Sequence, residues 1–147
     1  MREYFKLVPA VYVILRKDDE ILLLKRANTG YFDGFYSVPA GHVDGGEPAI
    51  EAAVREVKEE VGVTIKPENL KLAHTVHWVS PVPYKHERIG LFFESANWTG
   101  KLMNNEPEKC SEIKWVNIAK LPDKLVPEAK SALENYFKDI GYSDFNF

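Results

Sequence analysis

The chain has 147 residues and a formal net charge of −3, with 45% apolar and 28% charged residues. This size and composition are ordinary for one folded domain, so we expect a single domain over residues 1–147 and no long disordered tract. Lysine and arginine are scattered, and no run approaches the roughly 20 apolar residues that cross a bilayer, which excludes a dedicated nucleic-acid stripe and a membrane span.

Cysteine usage points to a reducing compartment. The lone Cys110 has no partner for a disulfide or for a thiolate metal cluster. The first residues carry no apolar core of signal-peptide length. We therefore predict a cytoplasmic protein, because a single thiol stays reduced most simply there.

The first half of the chain predicts a hairpin, a loop and a helix. Residues 11–15 and 21–24 are apolar and rich in branched side chains, and a polar turn joins them. Residues 28–34 are typical of a loop, and residues 36–38 of a short extended segment. Helix formers then run from Ala49 to Val61, between Pro48 at the start and a C-capping Gly62.

The second half predicts three strands and a last helix. The strands cover residues 70–79, 87–93 and 113–116, and the helix covers residues 128–140. Strands mixed with two helices at different places in the chain indicate an α/β or α+β layered domain.

The first helix carries an unusual concentration of negative charge. Glu56, Glu59 and Glu60 are three and four residues apart, so they share a helix face and repel one another. A hard divalent cation such as Mg²⁺ offsets such repulsion by taking carboxylate oxygens. A solvated charged face is the alternative, but the glycine-rich residues 41–46 directly before the helix let a phosphate or its metal approach the backbone.

The spacing over residues 41–63 resembles the Nudix box. Gly41 is followed after five residues by Glu47, and after seven more by the run Arg55-Glu56-Val57-Lys58-Glu59-Glu60-Val61-Gly62-Val63. A chance match to every fixed position is on the order of 10⁻⁹ per starting position at average residue usage. The chain is therefore identified as a member of the Nudix hydrolases, which implies an α/β/α sandwich with a mixed sheet.

The resemblance implies roles for the residues of the box. Glu56 and Glu60 would be direct Mg²⁺ ligands, with Mn²⁺ as a substitute, and Gly41 would offer its carbonyl oxygen. Glu59 would be a further ligand or the group that activates water. Arg55 would belong to the catalytic set and, with Glu47, would fix the loop and orient the ligands. We also assign Glu47 to substrate binding.

Two residues outside the box resemble family positions. A glutamate of a later loop joins the metal site or acts as base in some relatives; Glu106 matches it better than Glu108, although a solvated carboxylate is an equal alternative. Arg26, at the end of the second strand, matches a phosphate-contacting arginine, where the alternative is an exposed residue capping a strand.

The substrate is less determined than the reaction. Residues 105–116, 121–122 and the 141–144 tail resemble small nucleoside-triphosphate diphosphatases, which would give monophosphate and pyrophosphate. Only Glu128 is polar where oxidised-purine enzymes carry Asn or Asp, so that selectivity is left open. The aromatic residues of the loop before the box either stack on a base or close the core, and we expect at least two of them to close it: Tyr31, Phe32, Phe35 and Tyr36.

Competing functions stay open at this point. A hydrolase of nucleotide sugars or ADP-ribose is the first alternative, and a nucleotide-sensing module without turnover is a second one. The complete set of box carboxylates disfavours the sensing module, and the acidic balance disfavours RNA decapping. The partner is a small nucleotide, and a homodimer is one expected assembly, since dimers are common among relatives.

Overall fold

The computed structural model describes all 147 residues and contains eight strands and two α-helices. The first half contributes the strands β1 (Val8–Lys17), β2 (Glu20–Arg26), β3 (Tyr36–Ser37) and β4 (Ala40–His42), and the helix α1 (Ala49–Val61). The second half contributes β5 (Lys71–Val79), β6 (Glu87–Ser95), β7 (Cys110–Asn117), α2 (Pro127–Tyr136) and β8 (Tyr142–Phe145). A short 3₁₀ turn covers Pro67–Asn69.

The strands form one mixed sheet with β1 near its centre. The order is β3-β2-β1-β6-β5-β8, with β4 also paired to β1 and β7 to β2. β1 runs parallel to β6, whereas its two ends pair antiparallel with β4 and β2. β2 also pairs with β7, and this pairing places Arg26, at the end of β2, opposite Cys110 at the start of β7.

Two apolar cores lie on opposite faces of the sheet. Along β1 the odd residues such as Val11 and Val13 join the core under α1, and the even residues such as Ile14 join the core under α2. Side chains of a strand alternate between faces, so an uninterrupted apolar run is expected where both faces are covered. The predicted α/β/α sandwich with a mixed sheet is confirmed.

The catalytic helix has the predicted bounds. α1 begins after Pro48 and ends at Gly62, whose φ of 79° is the left-handed conformation that suits glycine, and whose N–H donates to the Lys58 carbonyl. None of the helices is long and apolar enough to cross a membrane.

The C-terminal region differs from the prediction. α2 ends at Tyr136 instead of residue 140, Asp139 adopts a φ of 58°, and Ile140 is exposed. The chain then turns and adds β8 parallel to β5. Buried His74 of β5 holds this edge strand, because its Nδ1–H donates to the Ile140 carbonyl at 2.7 Å and its Nε2 accepts from the Ser143 hydroxyl at 2.8 Å. This helix bound was wrong, and the strand was not predicted.

Candidate active site

The site is built where β4 turns into α1. Gly41 of β4 pairs with Val11 in the sheet. The carboxylate of Glu56 from α1 lies directly over it, so that a Cβ added at Gly41 would be 2.0 Å from Glu56 Cδ. Any larger residue at this position would force the Glu56 carboxylate to move away from Arg55. Glycine is therefore favoured here by close approach rather than by its backbone angles.

Arg55 holds the turn and the acidic face together. Its guanidinium donates to Glu56 Oε1 at 2.8 Å and to Glu47 Oε1 at 2.7 Å, and reaches the His42 carbonyl at 3.1 Å. Glu47 also accepts the backbone N–H of Asp44 at 2.9 Å. The hydrogen bond from Arg55 is the main cause that lowers the pKa of Glu47. Arg55 is therefore a fixed cation that orients its neighbours.

The surroundings of Glu60 and Glu56 raise the pKa of both carboxyl groups. Burial raises the pKa of Glu60 well above its ordinary value, a hydrogen bond from the Ala40 N–H at 2.9 Å opposes this rise, and repulsion by Glu56 and Glu106 adds to it. Burial also raises the pKa of Glu56, against the lowering effect of Arg55. Desolvation and like charge both favour the protonated forms, so these groups are poised for a cation that would restore the ionised ones.

The residues present fit a divalent oxygen-ligated cation. Glu56 and Glu60 converge beside Gly41, where only a glycine leaves the carboxylate and the backbone in contact. No group of three or more Asp, Glu, His or Cys side chains stands ready to hold a metal, because Glu56 is turned to Arg55 and Glu60 to the Ala40 N–H. Mg²⁺ prefers sites in which the protein supplies only one or two ligands, and water and substrate oxygens supply the rest.

Two residues of the box lie apart from this centre. The Glu59 side chain is 53% exposed and lies 3.4 Å from Arg55 Nη1. Glu47 uses both carboxylate oxygens on Arg55. The predicted supporting role of Glu47 is consistent with this contact, and its assignment to substrate binding stays a prediction.

The loop before β7 brings Glu106 to the same centre. Glu106 lines a cavity of about 100 Å³ together with Glu60 and Arg26. Glu108 does not line this cavity; its carbonyl accepts a hydrogen bond from Asn28 at 3.0 Å. Of the two glutamates that the sequence offered, Glu106 is the one near the carboxylates of α1.

Three cavities follow one another along the edge of the sheet. The acidic cavity, just described, shares Arg26, Ser37 and Ala40 with a middle cavity of about 120 Å³. The middle cavity shares its far wall with an aromatic cavity of about 280 Å³, which contains Trp78 and Tyr84; the shared residues are Tyr31, His42, Arg88 and Glu128. The three volumes together fall in the range of roughly 300–1,000 Å³ that small-molecule sites occupy.

Glu128 is a buried carboxylate at the far end of this groove. Its oxygens accept the Tyr12 hydroxyl at 3.3 Å and the Tyr31 hydroxyl at 2.9 Å. Burial raises the pKa of Glu128, while hydrogen bonds from its own backbone and from the two tyrosines oppose the rise. Only 5% of the residue is exposed. A buried carboxylate held in place by two hydroxyls can accept hydrogen bonds from a ligand's N–H groups.

Arg88 is a groove residue that the sequence did not reveal. Its Nη1 donates to His42 Nε2 at 2.7 Å, and its Nε has no partner in the protein. Burial is the main cause that lowers the pKa of His42, and the positive charge of Arg88 adds to it. Arg88 follows Glu87 at the start of β6 and precedes a mainly apolar run, and this local pattern does not mark a groove residue.

Comparison with known proteins agrees with this geometry. The model of the NUDIX domain matches residues 6–136. The chain belongs to the Nudix family. Solved structures share its fold: a MutT Nudix hydrolase from Burkholderia pseudomallei (TM-score 0.79, 24% identity, covering 88% of this chain and 98% of the other) and a MutT protein from Methanosarcina mazei (TM-score 0.77, 23% identity, covering 90% and 94%).

Curated Nudix relatives are similar in sequence but longer. An NAD-capped RNA hydrolase NudC from Pseudomonas putida is 31% identical over 140 residues, which is 95% of this chain and 46% of that protein. The protein of the same name from Photorhabdus laumondii is 30% identical over 138 residues, covering 94% and 49%. The chain thus spans about half the length of the curated relatives it matches.

Part of the Nudix box gathers around one centre, and the groove adds other residues. Gly41 and Arg55 contact Glu56, Glu60 lies close enough for repulsion by Glu56 to raise its pKa, and Glu60 shares the acidic cavity with Arg26 and Glu106. Of the four loop aromatics only Tyr36 is buried, so the expectation that at least two close the core was wrong. Tyr31 instead lines the middle and aromatic cavities.

Proposed function

We propose that this Nudix hydrolase cleaves a (deoxy)nucleoside triphosphate to a monophosphate and pyrophosphate with Mg²⁺. The observation that carries the proposal is the continuous groove, in which Arg26 joins the acidic cavity to the middle cavity. Phosphates at the acidic end and a nucleoside at the aromatic end fit the two kinds of lining. Mn²⁺ is the expected substitute, since it accepts the same oxygen ligands.

The cation would neutralise phosphate charge and lower the pKa of an attacking water. Glu56, Glu60 and the Gly41 carbonyl would hold it. Arg55, fixed by Glu47, donates to Glu56 Oε1 at 2.8 Å and so orients this carboxylate, while the second oxygen of Glu56 accepts no hydrogen bond in the protein and would face the cation.

Proton removal from water needs a carboxylate within hydrogen-bond reach of the acidic cavity. Glu106 lines that cavity, whereas Glu59 is more than half exposed and lies on the outer side of Arg55. We therefore favour Glu106 as the base. Glu59 would instead add negative charge to the face of α1 that carries Glu56 and Glu60.

Arg26 is assigned to the phosphates, because its Nε and Nη2 donate to Tyr31 and Thr29 while its Nη1 makes no hydrogen bond in the protein.

Base recognition is assigned to the far end of the groove. Glu128 would accept N–H groups of the base, and Tyr31 and Trp78 offer apolar surface beside it. A carboxylate acceptor favours bases that present an N–H next to an amino group over those that present only acceptors. The cytoplasm is the proposed location, and a homodimer stays a prediction.

A second candidate is hydrolysis of a dinucleotide or other nucleoside-diphosphate compound. It is favoured by the relatives that are about 30% identical and are named NAD-capped RNA hydrolases. The aromatic cavity of about 280 Å³ also offers surface for a second ring. Nucleotide sugars and ADP-ribose belong to the same class.

A substrate panel with magnesium separates these candidates. Standard and oxidised nucleoside triphosphates, nucleotide sugars, ADP-ribose and NAD are compared by kcat/KM, with separate quantification of pyrophosphate. The proposal expects Mg²⁺-dependent pyrophosphate release from triphosphates as the fastest reaction. Faster cleavage of a dinucleotide, with two monophosphates as products, would support the second candidate instead. Nucleotide binding without any turnover would identify a sensing module.

A further inference from the structure

The loop that carries Glu106 also fixes a lysine backbone at the acidic cavity. The Asn104 side chain accepts the Glu106 N–H at 3.2 Å and donates to the Cys110 carbonyl at 2.6 Å. The Lys109 N–H donates to the Glu106 carbonyl, and the Lys109 carbonyl accepts the Ala27 N–H, both at 2.9 Å. The backbone of Lys109 is therefore fixed beside Ala27, the residue that follows β2 in the chain.

Three basic residues line the acidic cavity: Lys25, Arg26 and Lys109. The Lys25 ammonium is 5.8 Å from the centre of the Tyr36 ring, and so has a partner outside the cavity. Arg26 is oriented by Tyr31 and Thr29 but leaves Nη1 free. The Lys109 ammonium forms no ion pair.

Neither Arg26 nor Lys109 forms an ion pair with the carboxylates that share their cavity, although the charge of Arg26 lowers the pKa of Glu60. Glu60 spends a carboxylate oxygen on the Ala40 N–H, and no ion pair joins Glu60 or Glu106 to a lysine or arginine. Two cations and two carboxylates thus line one small space without pairing. Such an arrangement suits a ligand that brings a divalent cation to the carboxylates and anionic oxygens to the basic groups.

We propose that Lys109 and Arg26 form a subsite for the terminal phosphates of the substrate, in which Lys109 gives preference to polyphosphates over dinucleotides. The inference deepens the proposed function and rests on it for the identity of the substrate. A terminal phosphate carries about two negative charges at neutral pH, whereas each phosphate bridging two nucleosides carries about one. A lysine ammonium, a compact point charge with three donors, responds directly to that difference.

Binding of inorganic pyrophosphate in the presence of magnesium tests the subsite without turnover. Lys109→Gln removes the charge and keeps the backbone hydrogen bonds. Lys101→Gln is the matched control, because Lys101 is an exposed lysine earlier in the same loop that does not line the acidic cavity. Calorimetry should show pyrophosphate binding weakened about 10- to 100-fold in Lys109→Gln, the range for a lost hydrogen bond between charged groups, and unchanged in Lys101→Gln.

Steady-state kinetics then tests the preference. The loss of kcat/KM in Lys109→Gln should be about tenfold larger for a nucleoside triphosphate than for an adenine dinucleotide. Lys109→Arg should recover most of the loss, because it restores the charge. Equal losses for both substrates, or pyrophosphate binding equal in the two glutamine variants, would overturn the subsite.

The two proposals fail in different ways. Should the enzyme cleave only dinucleotides while pyrophosphate binding depends on Lys109, Lys109 is a phosphate-binding residue, but both the preference for polyphosphates and the triphosphate reaction are wrong. Should triphosphates be the best substrates while Lys109→Gln behaves like Lys101→Gln, the reaction holds and the subsite is wrong.

Discussion

Replacing Glu60 by glutamine should stabilise the fold and stop the reaction. Glu60 is the most strongly desolvated carboxylate of the site, and its pKa is raised by burial and by repulsion from Glu56 and Glu106. Glutamine keeps an oxygen that accepts the Ala40 N–H, which is 2.9 Å from Glu60 Oε2, and removes only the charge. The variant therefore separates the electrostatic cost of this residue from its part in the fold.

The direction of the stability change follows from the pKa shift of Glu60. Each unit by which folding raises a carboxyl pKa costs about 1.4 kcal/mol once the group is ionised in both states. Burial raises the pKa of Glu60, so we expect the Glu60→Gln variant to be more stable than the wild type at pH 7 without metal. For a domain of this size, each gain of about 1 kcal/mol raises Tm by about 2–4 °C.

The sign of the pH dependence follows from the same shift. The folded state of the wild type holds the Glu60 proton to higher pH than the unfolded state does, so its stability falls as pH rises through the interval between the two pKa values. Below the ordinary glutamate value of 4.5 the carboxyl is protonated in both states. The advantage of Glu60→Gln should accordingly be absent in acid and grow as the pH rises above 4.5.

Magnesium and turnover complete the assay. At about 100 times the dissociation constant, Mg²⁺ should stabilise the wild type by about 2.7 kcal/mol, and Glu60→Gln far less. Turnover should fall by more than about 100-fold, beyond the effect of losing a residue that only supports a ligand. Thermal unfolding with and without Mg²⁺, followed by kcat, measures both. A variant less stable than wild type at pH 7, or one with wild-type turnover, would refute the reasoning.

Three further substitutions test the surroundings of the site. Gly41→Ala inserts a Cβ 2.0 Å from Glu56 Cδ and should lower kcat/KM about 100-fold through misplacement; wild-type kinetics would contradict the close approach. Glu106→Gln should lower kcat by about 10²–10⁴ while Glu108→Gln leaves it unchanged, and equal values would remove Glu106 as base. Glu128→Gln should raise the unfolding free energy at neutral pH but not below pH 4.5, because burial raises the pKa of Glu128; denaturant titration at both pH values checks this.

Local patterns were sufficient for the elements that carry the catalytic box. Residues 11–15 predicted a strand, and β1 covers them, with its side chains buried on both sides of the sheet. The helix bounds Ala49 and Val61 followed from a proline before the helix and a glycine after it. These signals are read within a few residues of the chain, which is why they could be predicted.

Long-range pairing was out of reach of such signals. The sequence of Tyr142–Phe145 does not indicate that these residues pair in parallel with β5, about 67 residues earlier. This pairing nevertheless makes β8 the edge strand of the sheet. The apolar spacing that continued to Ile140 suggested a longer helix. Instead, the Ile140 N–H donates to the Asn135 carbonyl, and Asp139 adopts a left-handed conformation. Both features end α2 before residue 140.

The groove depends on the same kind of contact. Glu128 was noticed as a polar residue, but its environment comes from Tyr12, 116 residues away, and Tyr31, 97 residues away. Arg26 and Glu106 line the same cavity, and the pairing of β2 with β7 places Arg26 opposite Cys110, four residues after Glu106. A sequence motif can therefore identify the ligands of α1, whereas the residues opposite them become visible only when the sheet is assembled.

The charges of the assembled groove bear on how cation and substrate bind. Without a cation, Glu60 and Glu106 repel an incoming phosphate while Arg26 and Lys109 attract it, so neither charge dominates the acidic cavity. A divalent cation at the carboxylates makes the same cavity positive, and phosphate oxygens in turn supply ligands that the protein does not provide. Each should therefore raise the affinity for the other by the same factor, and we expect the metal–nucleotide complex, rather than either component alone, to be the species that fills the groove.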